Sequence, residues 1–306
     1  MIQSLTVHDD TVHSLPVKLA TGPVTWGVDF ADRSSNPPWS HVLDEIEASG
    51  LGALELGPVG YLPEDPATLR AELGRRHLTA VGSYVFEDLH DPAEEKTVLA
   101  VAERACRAIA AAGGAVLVII DRPDDTRVAT AGRADVAPRL SDERWAAMLD
   151  VVNQVAAVAR ADGLRPVVHP HAGGYIEFAD EVERLVADTD LDLCIDSGHF
   201  AYAGIDPVAA IRTYADRLGH FHFKDIRPDV IDRVRAEGLD FWTAIKEDVF
   251  CPMGEGLVDV AGVINELAAV GYDGYATIEQ DRVAGSGTPL EDLQRSVAVL
   301  ERMGRA

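Results

Sequence analysis

The sequence predicts an α/β chain folded as a single (β/α)8 TIM barrel, and three observations lead there. Short β-type runs alternate with helical stretches along nearly the whole chain, the pattern of a parallel sheet covered by helices. Eight such runs fit into 306 residues, where a closed barrel of this kind needs about 250. Nearly every run ends in a titratable or aromatic side chain rather than in Gly, Ser or Asn. Strands end that way when they empty into one site at the C-terminal mouth of a barrel.

In chain order the predicted strands are Gly22–Val28, Ala53–Gly57, Thr79–Val85, Ala115–Asp121, Arg165–His169, Leu191–Asp196, Gly219–Phe223 and Gly274–Glu279. Each is a short apolar run, too short for a helix. The predicted helices are Trp39–Ser49, Pro66–Arg76, Pro92–Ala112, Asp142–Ala161, Ala179–Val186, Asp206–Arg217, Val260–Val270 and Leu290–Met303. Several open on an N-terminal signal, such as Ser141 before Asp142-Glu143, or Asp206-Pro207 with proline in the first turn. Several close on glycine, at Gly50, Gly113-Gly114, Gly163 and Gly271. An open doubly wound sheet is the alternative fold. It normally carries a glycine-rich phosphate loop after an early strand, and none is present.

Two connections break the rhythm. Lys224–Leu257 is too long for a simple βα loop and carries Trp242, Phe250, Cys251 and Met253. Its aromatic content argues for a lid or pocket loop, with a partner-docking surface as the alternative. Arg122–Leu140, rich in Asp, Arg, Thr, Ala and Gly, reads as a mobile surface loop over the same rim. The predicted organisation is one barrel domain over 1–306, with an N-terminal extension at 1–20 and a lid at 225–257.

Composition limits the function classes. With 27 basic against 51 acidic residues the net charge is −24, a surface that repels phosphate backbones and argues against nucleic-acid partners. Three cysteines, Cys106, Cys194 and Cys251, share no metal-type spacing and cannot all pair, which fits a reducing cytosol. The N-terminus has no basic start and no apolar core, and no apolar run reaches 18 residues, so a cytoplasmic protein without a membrane span is expected.

The strand ends supply Trp26, Glu55, Tyr84 with Glu87, Asp121, His169 with His171, Asp196 with His199, His222 with Lys224, and Glu279. Converging acids and imidazoles in a barrel mouth repel or desolvate one another unless a cation or substrate unites them. Asp196, His222 and Glu279 form an O/N/O set suited to Mn²⁺, Co²⁺, Zn²⁺ or Mg²⁺. A fourth ligand would come from the fifth-strand region, either Glu177 or His169. Taken singly, a strand-end histidine is a common structural residue and Asp before Ser-Gly a common turn former. Glu55 reads equally as a rim salt bridge, and Trp26 and Tyr84 equally as packing residues.

The stretches TWGVDF, ALELGPVGYLP, VVHPHAGGYIE, CIDSGHFAYAGIDP, HFHFKDIRP, FCPMGEGLVD and IEQDR together resemble the xylose-isomerase-like TIM barrels, the sugar phosphate isomerase/epimerase family, and within it the inosose (2-keto-myo-inositol) dehydratases. The resemblance runs over residues 20 to 303. It implies one divalent ion, Mn²⁺ or Co²⁺ ahead of Mg²⁺ or Zn²⁺, held by Asp196, His222, Glu279 and a glutamate from the fifth-strand region. Here the chain departs from the family, with His169-Pro170-His171 at the strand end. Glu177, the nearest carboxylate, is the favoured fourth ligand, with His169 or His171 lining the substrate.

By the same resemblance Glu177, Glu279, His199 and Lys224 are the expected catalytic groups, and Trp26, Glu55, Tyr84 and Arg282 join the histidines around the substrate. The implied activity is dehydration of a keto-cyclitol or keto-sugar through an enediolate. Isomerisation or 3-epimerisation of a ketose uses the same site, and a non-catalytic sugar-binding subunit is the reading from another class. Phosphorylated substrates are less attractive, since few cations beyond Lys224, Arg227 and Arg282 fall near the mouth. By analogy the chain is expected to form homo-oligomers.

Overall fold

A computed structural model describes residues 15–305; the predicted extension at 1–20 therefore falls largely outside the described residues. Eight parallel strands close into a barrel: β1 Lys18–Thr21, β2 Ala53–Glu55, β3 Thr79–Glu87, β4 Val116–Asp121, β5 Arg165–Val168, β6 Asp192–Asp196, β7 Leu218–Phe223 and β10 Tyr275–Ile278. Around the ring their order is β1-β10-β7-β6-β5-β4-β3-β2. Apolar side chains fill most strand positions because a parallel barrel strand is covered on both faces. Helices form the outer layer. The helix Glu95–Ala112 turns Val98, Ala102, Ala105, Cys106 and Ile109 inward, a spacing of three and four that makes one apolar stripe. Asp142–Ala161 begins where the Ser141 hydroxyl accepts from the Arg144 N–H, as its sequence signal predicts.

The first strand lies earlier than expected. Lys18–Thr21 pairs with β10 and β2, while Pro23–Trp26 forms a 3-10 turn. Pro23 has no N–H to give a ladder, so the chain leaves the sheet there. The interval after β7 is also more ordered than a loop. Asp225–Ile226 (β8) pairs antiparallel with Phe250–Cys251 (β9), enclosing helices Pro228–Glu237 and Phe241–Lys246. The buried Asp225 carboxylate accepts from the N–H groups of Ile226, Gly254, Gly256 and Val258, each at 2.9 Å. One charge thus pins both ends of the excursion. Arg122–Leu140, expected to be a mobile loop, contains the short helix Asp125–Val128 and the fully buried Arg127. Among the described residues no helix is long and apolar enough to cross a membrane.

Candidate metal centre and surrounding cavity

Asp196 ends β6 and His222 is the last residue but one of β7, and the two stand directly opposite each other in the β6–β7 register. Glu279 follows β10 on the other side of β7. These three residues offer ligand atoms that all lie within 4.8 Å of one another. His169, just past β5, stands beside this group: its Nε2 is 3.5 Å from Asp196 Oδ2. His222 Nδ1 lies 3.6 Å from the same oxygen and 3.2 Å from Glu279 Oε2. Ligands bonded at about 2.1 Å around a tetrahedral cation sit about 3.4 Å apart, which these separations match.

The neighbouring bonds aim each lone pair at the common point. Asp196 Oδ1 accepts from Gly198 N at 2.8 Å and His199 N at 2.9 Å, so only Oδ2 turns inward. His222 Nε2 donates to Glu55 at 2.9 Å, which leaves Nδ1 as the lone-pair nitrogen. His169 Nδ1 donates to the Pro170 carbonyl at 2.8 Å, leaving Nε2. Asp196 Oδ2 and His222 Nδ1 are buried with no hydrogen-bond partner among the described residues. Two unpartnered buried acceptors facing one point are costly, and a divalent cation there satisfies both. The donor set fits such a cation. Cys194 reaches the same histidines, but burial pushes its thiol up to about 12, so it stays protonated.

Lys224 borders the cluster. Its Nζ lies 2.7 Å from Asp281, 3.1 Å from Glu279 and 3.5 Å from Asp196. Burial opposes its charge, but Asp281, Asp196 and Glu279 outweigh burial and hold it well above the usual lysine range. Gly198 allows this approach, since a Cβ there would fall 2.5 Å from Lys224 Cβ. His199 sits behind Lys224, with Nε2 3.1 Å from Nζ and 3.3 Å from Asp281, and Nδ1 accepting from Ala172 N. Burial and Lys224 push His199 down to about 4. Both its nitrogens are engaged, so it orients Lys224 and Asp281 rather than facing the cavity.

The cavity above the cluster is lined by Asp29, Tyr84, Phe86, His171, Phe241 and Trp242, together with His169, His222, Lys224, Glu279 and Asp281. The helix Phe241–Lys246 of the long excursion supplies its roof. Tyr84 belongs to this wall as expected from the sequence, and its hydroxyl donates to the Val28 carbonyl at 3.3 Å.

Like His199, four other predicted site residues stand elsewhere than expected. Glu177 is turned away: one oxygen accepts from Gly132 N at 2.7 Å, and the other from Gly173 N at 3.0 Å and Arg127 Nη2 at 3.2 Å. With both oxygens held there it faces away from the Asp196, His222 and Glu279 cluster, and His169 is the fifth-strand residue that stands beside Asp196. Trp26 packs in the layer between barrel and helices, its indole N–H donating to Glu45. Arg282 is tied to Asp292 at 2.8 Å and lines a separate rim cleft. Glu55 is no rim residue. It lies inside the barrel under the cluster, where Oε1 accepts from His220 at 2.8 Å, His222 and Thr277 at 2.6 Å. Burial pushes Glu55 up, yet His222 and His220 hold it well below the usual carboxylate range. Sequence reasoning missed Asp29, Asp281 and Phe241. Asp29 and Asp281 stand inside the TWGVDF and IEQDR stretches, which is the signal that could have found them.

A profile of the xylose isomerase-like TIM barrel family matches residues 43–303. The inosose dehydratase of Geobacillus kaustophilus (strain HTA426) is 29% identical over 302 residues, covering 94% of this chain and 95% of that one. Among solved structures, the IolI protein with a bound zinc atom superposes with a TM-score of 0.71 at 14% identity, over 94% of this chain and 98% of that one. The 3-keto-D-glucoside 4-epimerase YcjR of E. coli gives 0.69 at 19% identity, over 94% and 99%. These structural likenesses speak for the fold, and the profile spans most of the chain. The chain belongs to the xylose isomerase-like TIM barrel family.

Proposed function

We propose that the protein is a divalent-metal-dependent hydro-lyase that dehydrates a keto-cyclitol or keto-sugar, as the inosose dehydratases it resembles are named for doing. The observation that carries this reading is the inward-aimed donor set, His169, Asp196, His222 and Glu279, at the floor of a cavity in a chain that matches such a dehydratase almost end to end. A divalent cation held there polarises a ketone and stabilises the negative charge that develops on its oxygen. The Lys224 ammonium, fixed beside the cluster, donates a hydrogen bond to a second substrate oxygen. His171 gives its Nδ1 proton to the Ala172 carbonyl at 2.9 Å. Its Nε2 is therefore a lone-pair nitrogen on a cavity-lining ring, suited to take the proton beside the carbonyl. Phe86, Phe241 and Trp242 exclude water from the reacting carbons.

The ion is read as Mn²⁺, Co²⁺ or Zn²⁺, since two imidazoles and two carboxylates suit these better than Mg²⁺. A cytoplasmic setting accords with three cysteines that are all free and buried. Ketose epimerisation is the second reading, because the fold is shared with an epimerase and the same groups would form and reprotonate the same carbanion.

Incubation of cation-loaded protein with a panel of keto-inositols and ketoses in D2O tests this. Release of an unsaturated diketone is the expected result. Exchange of the α-proton without loss of water would replace the dehydratase reading with the epimerase one, and full activity after chelation would sink both.

A further inference from the structure

Dehydration requires two proton movements, one from carbon and one to the departing oxygen. Three carboxyls line the cavity: Asp29, Glu279 and Asp281. Glu279 belongs to the donor cluster, and Asp281 is paired with Lys224 and His199. Of the three, Asp29 alone has neither a hydrogen bond nor an ion pair among the described residues; the charges near it act only through space. It follows β1, four places around the eight-strand ring from β5, which carries His171. The two residues thus approach the same cavity from opposite walls.

The segment holding Asp29 is rigid. Gly27 sits at φ 77°, and a Cβ there would fall 2.5 Å from Ala284 N, so the chain is clamped against the loop after β10. The Tyr84 hydroxyl holds the next carbonyl. Asp29 also borders two rim clefts, one with Phe30 and Arg122, the other with Arg33 and Lys246, which gives it access to solvent protons.

We propose that Asp29 is the general acid of this site, delivering its proton to the hydroxyl that leaves the β-carbon. The role rests on the dehydratase reading above. His171 takes the α-proton, and the electron pair of that C–H bond passes into the substrate enolate and then becomes the second bond between the α- and β-carbons. The β-carbon–oxygen bond breaks with its pair on oxygen, and the Asp29 proton completes a water molecule. Imidazolium and carboxylate remain, and one proton exchanged through solvent resets both. The surroundings suit an acid. Burial, Asp281 and Glu279 raise Asp29 to about 7 against the opposing pull of Arg33 and Lys224, with the Tyr84 hydroxyl the other titratable group facing it.

The test compares the Mn²⁺-loaded wild type with Asp29→Asn and Asp29→Glu on 2-keto-myo-inositol in D2O, followed by NMR. The expected result is that Asp29→Asn binds Mn²⁺ and melts like the wild type and still exchanges the α-proton, but eliminates water about 10²–10³-fold more slowly. Asp29→Glu should recover part of that loss, and the fall in wild-type elimination above pH 7 should vanish in Asp29→Asn. Elimination at the wild-type rate in Asp29→Asn overturns the proposal. So does loss of exchange together with elimination in a folded, Mn²⁺-loaded variant. Absence of both reactions in the wild type would instead overturn the dehydratase reading itself.

Discussion

Replacing Glu55 by Gln tests how the barrel interior sets the donor cluster. Glu55 Oε1 receives three hydrogen bonds, at 2.8 Å from His220, 2.9 Å from His222 and 2.6 Å from Thr277. The bond from His222 Nε2 keeps the proton on that nitrogen, and Nδ1 is thereby left to face Asp196 and Glu279. Glutamine preserves the shape but removes the charge, and it adds two N–H donors among groups that already donate. If its amide turns its nitrogen toward His222, the ring must reverse its tautomer and present an N–H to the cluster. Losing an orienting partner behind a metal-binding histidine typically weakens cation affinity 10–100-fold, which is about 1.4–2.7 kcal/mol. The variant should also melt several degrees lower, since a hydrogen bond to a charged group contributes about 1.5–3 kcal/mol. Competition against a fluorescent chelator for Zn²⁺ or Mn²⁺ measures the first effect and a thermal melt the second. A folded Glu55→Gln protein whose cation affinity stays within about twofold of wild type would refute the orienting role.

Arg127→Met should destabilise by about 3–5 kcal/mol, because it leaves the buried Glu177 carboxylate without its cation and Glu181 with only Arg139; unchanged denaturant unfolding would contradict the assignment of this cluster. Glu177→Gln should leave cation affinity unchanged, and a tenfold or greater loss would restore Glu177 as a ligand. His90 bonds Asp121 at 2.8 Å; burial pulls its pKa down, but that bond and charge outweigh burial and raise it. The pair's stabilisation is complete below about pH 6.5 and is lost as pH rises through the higher folded value. The melting temperature of wild type should therefore fall more between pH 6.5 and 9 than that of His90→Gln, and parallel curves would show that the pair adds nothing.

The barrel was legible because each strand is a short apolar run bounded by helix signals, and those signals are local. The boundaries of seven strands fall within one or two residues of their predicted places. The first failed because Val24, Thr25 and Trp26 look strand-like by composition, whereas the ladder ends at Thr21. Asp196, His222 and Glu279 were legible for a geometric reason: in a βα repeat the last residue of every strand reaches the same mouth. Counting onward to the nearest carboxylate failed at Glu177. The turn at Gly173-Gly174 swings the chain outward, and Arg127, fifty residues earlier in sequence, captures the carboxylate. The long excursion after β7 was recognised by its aromatic content, but its two helices and hairpin were not, because they are ordered largely by packing on the barrel and by Asp225.

By itself the sequence determined a closed eight-strand barrel, a strongly acidic composition, and one mouth where acids and imidazoles converge. Periodicity and strand-end chemistry are written into neighbouring residues, so they survive without coordinates. The tertiary structure alone decided what each titratable group faces. It set His169 beside Asp196, placed Glu55 beneath the cluster, and left Asp29 across from His171 with no partner among the described residues. Those outcomes depend on which distant charge and which backbone N–H meet each carboxylate, and such meetings are set by loop paths and barrel register rather than by local propensity.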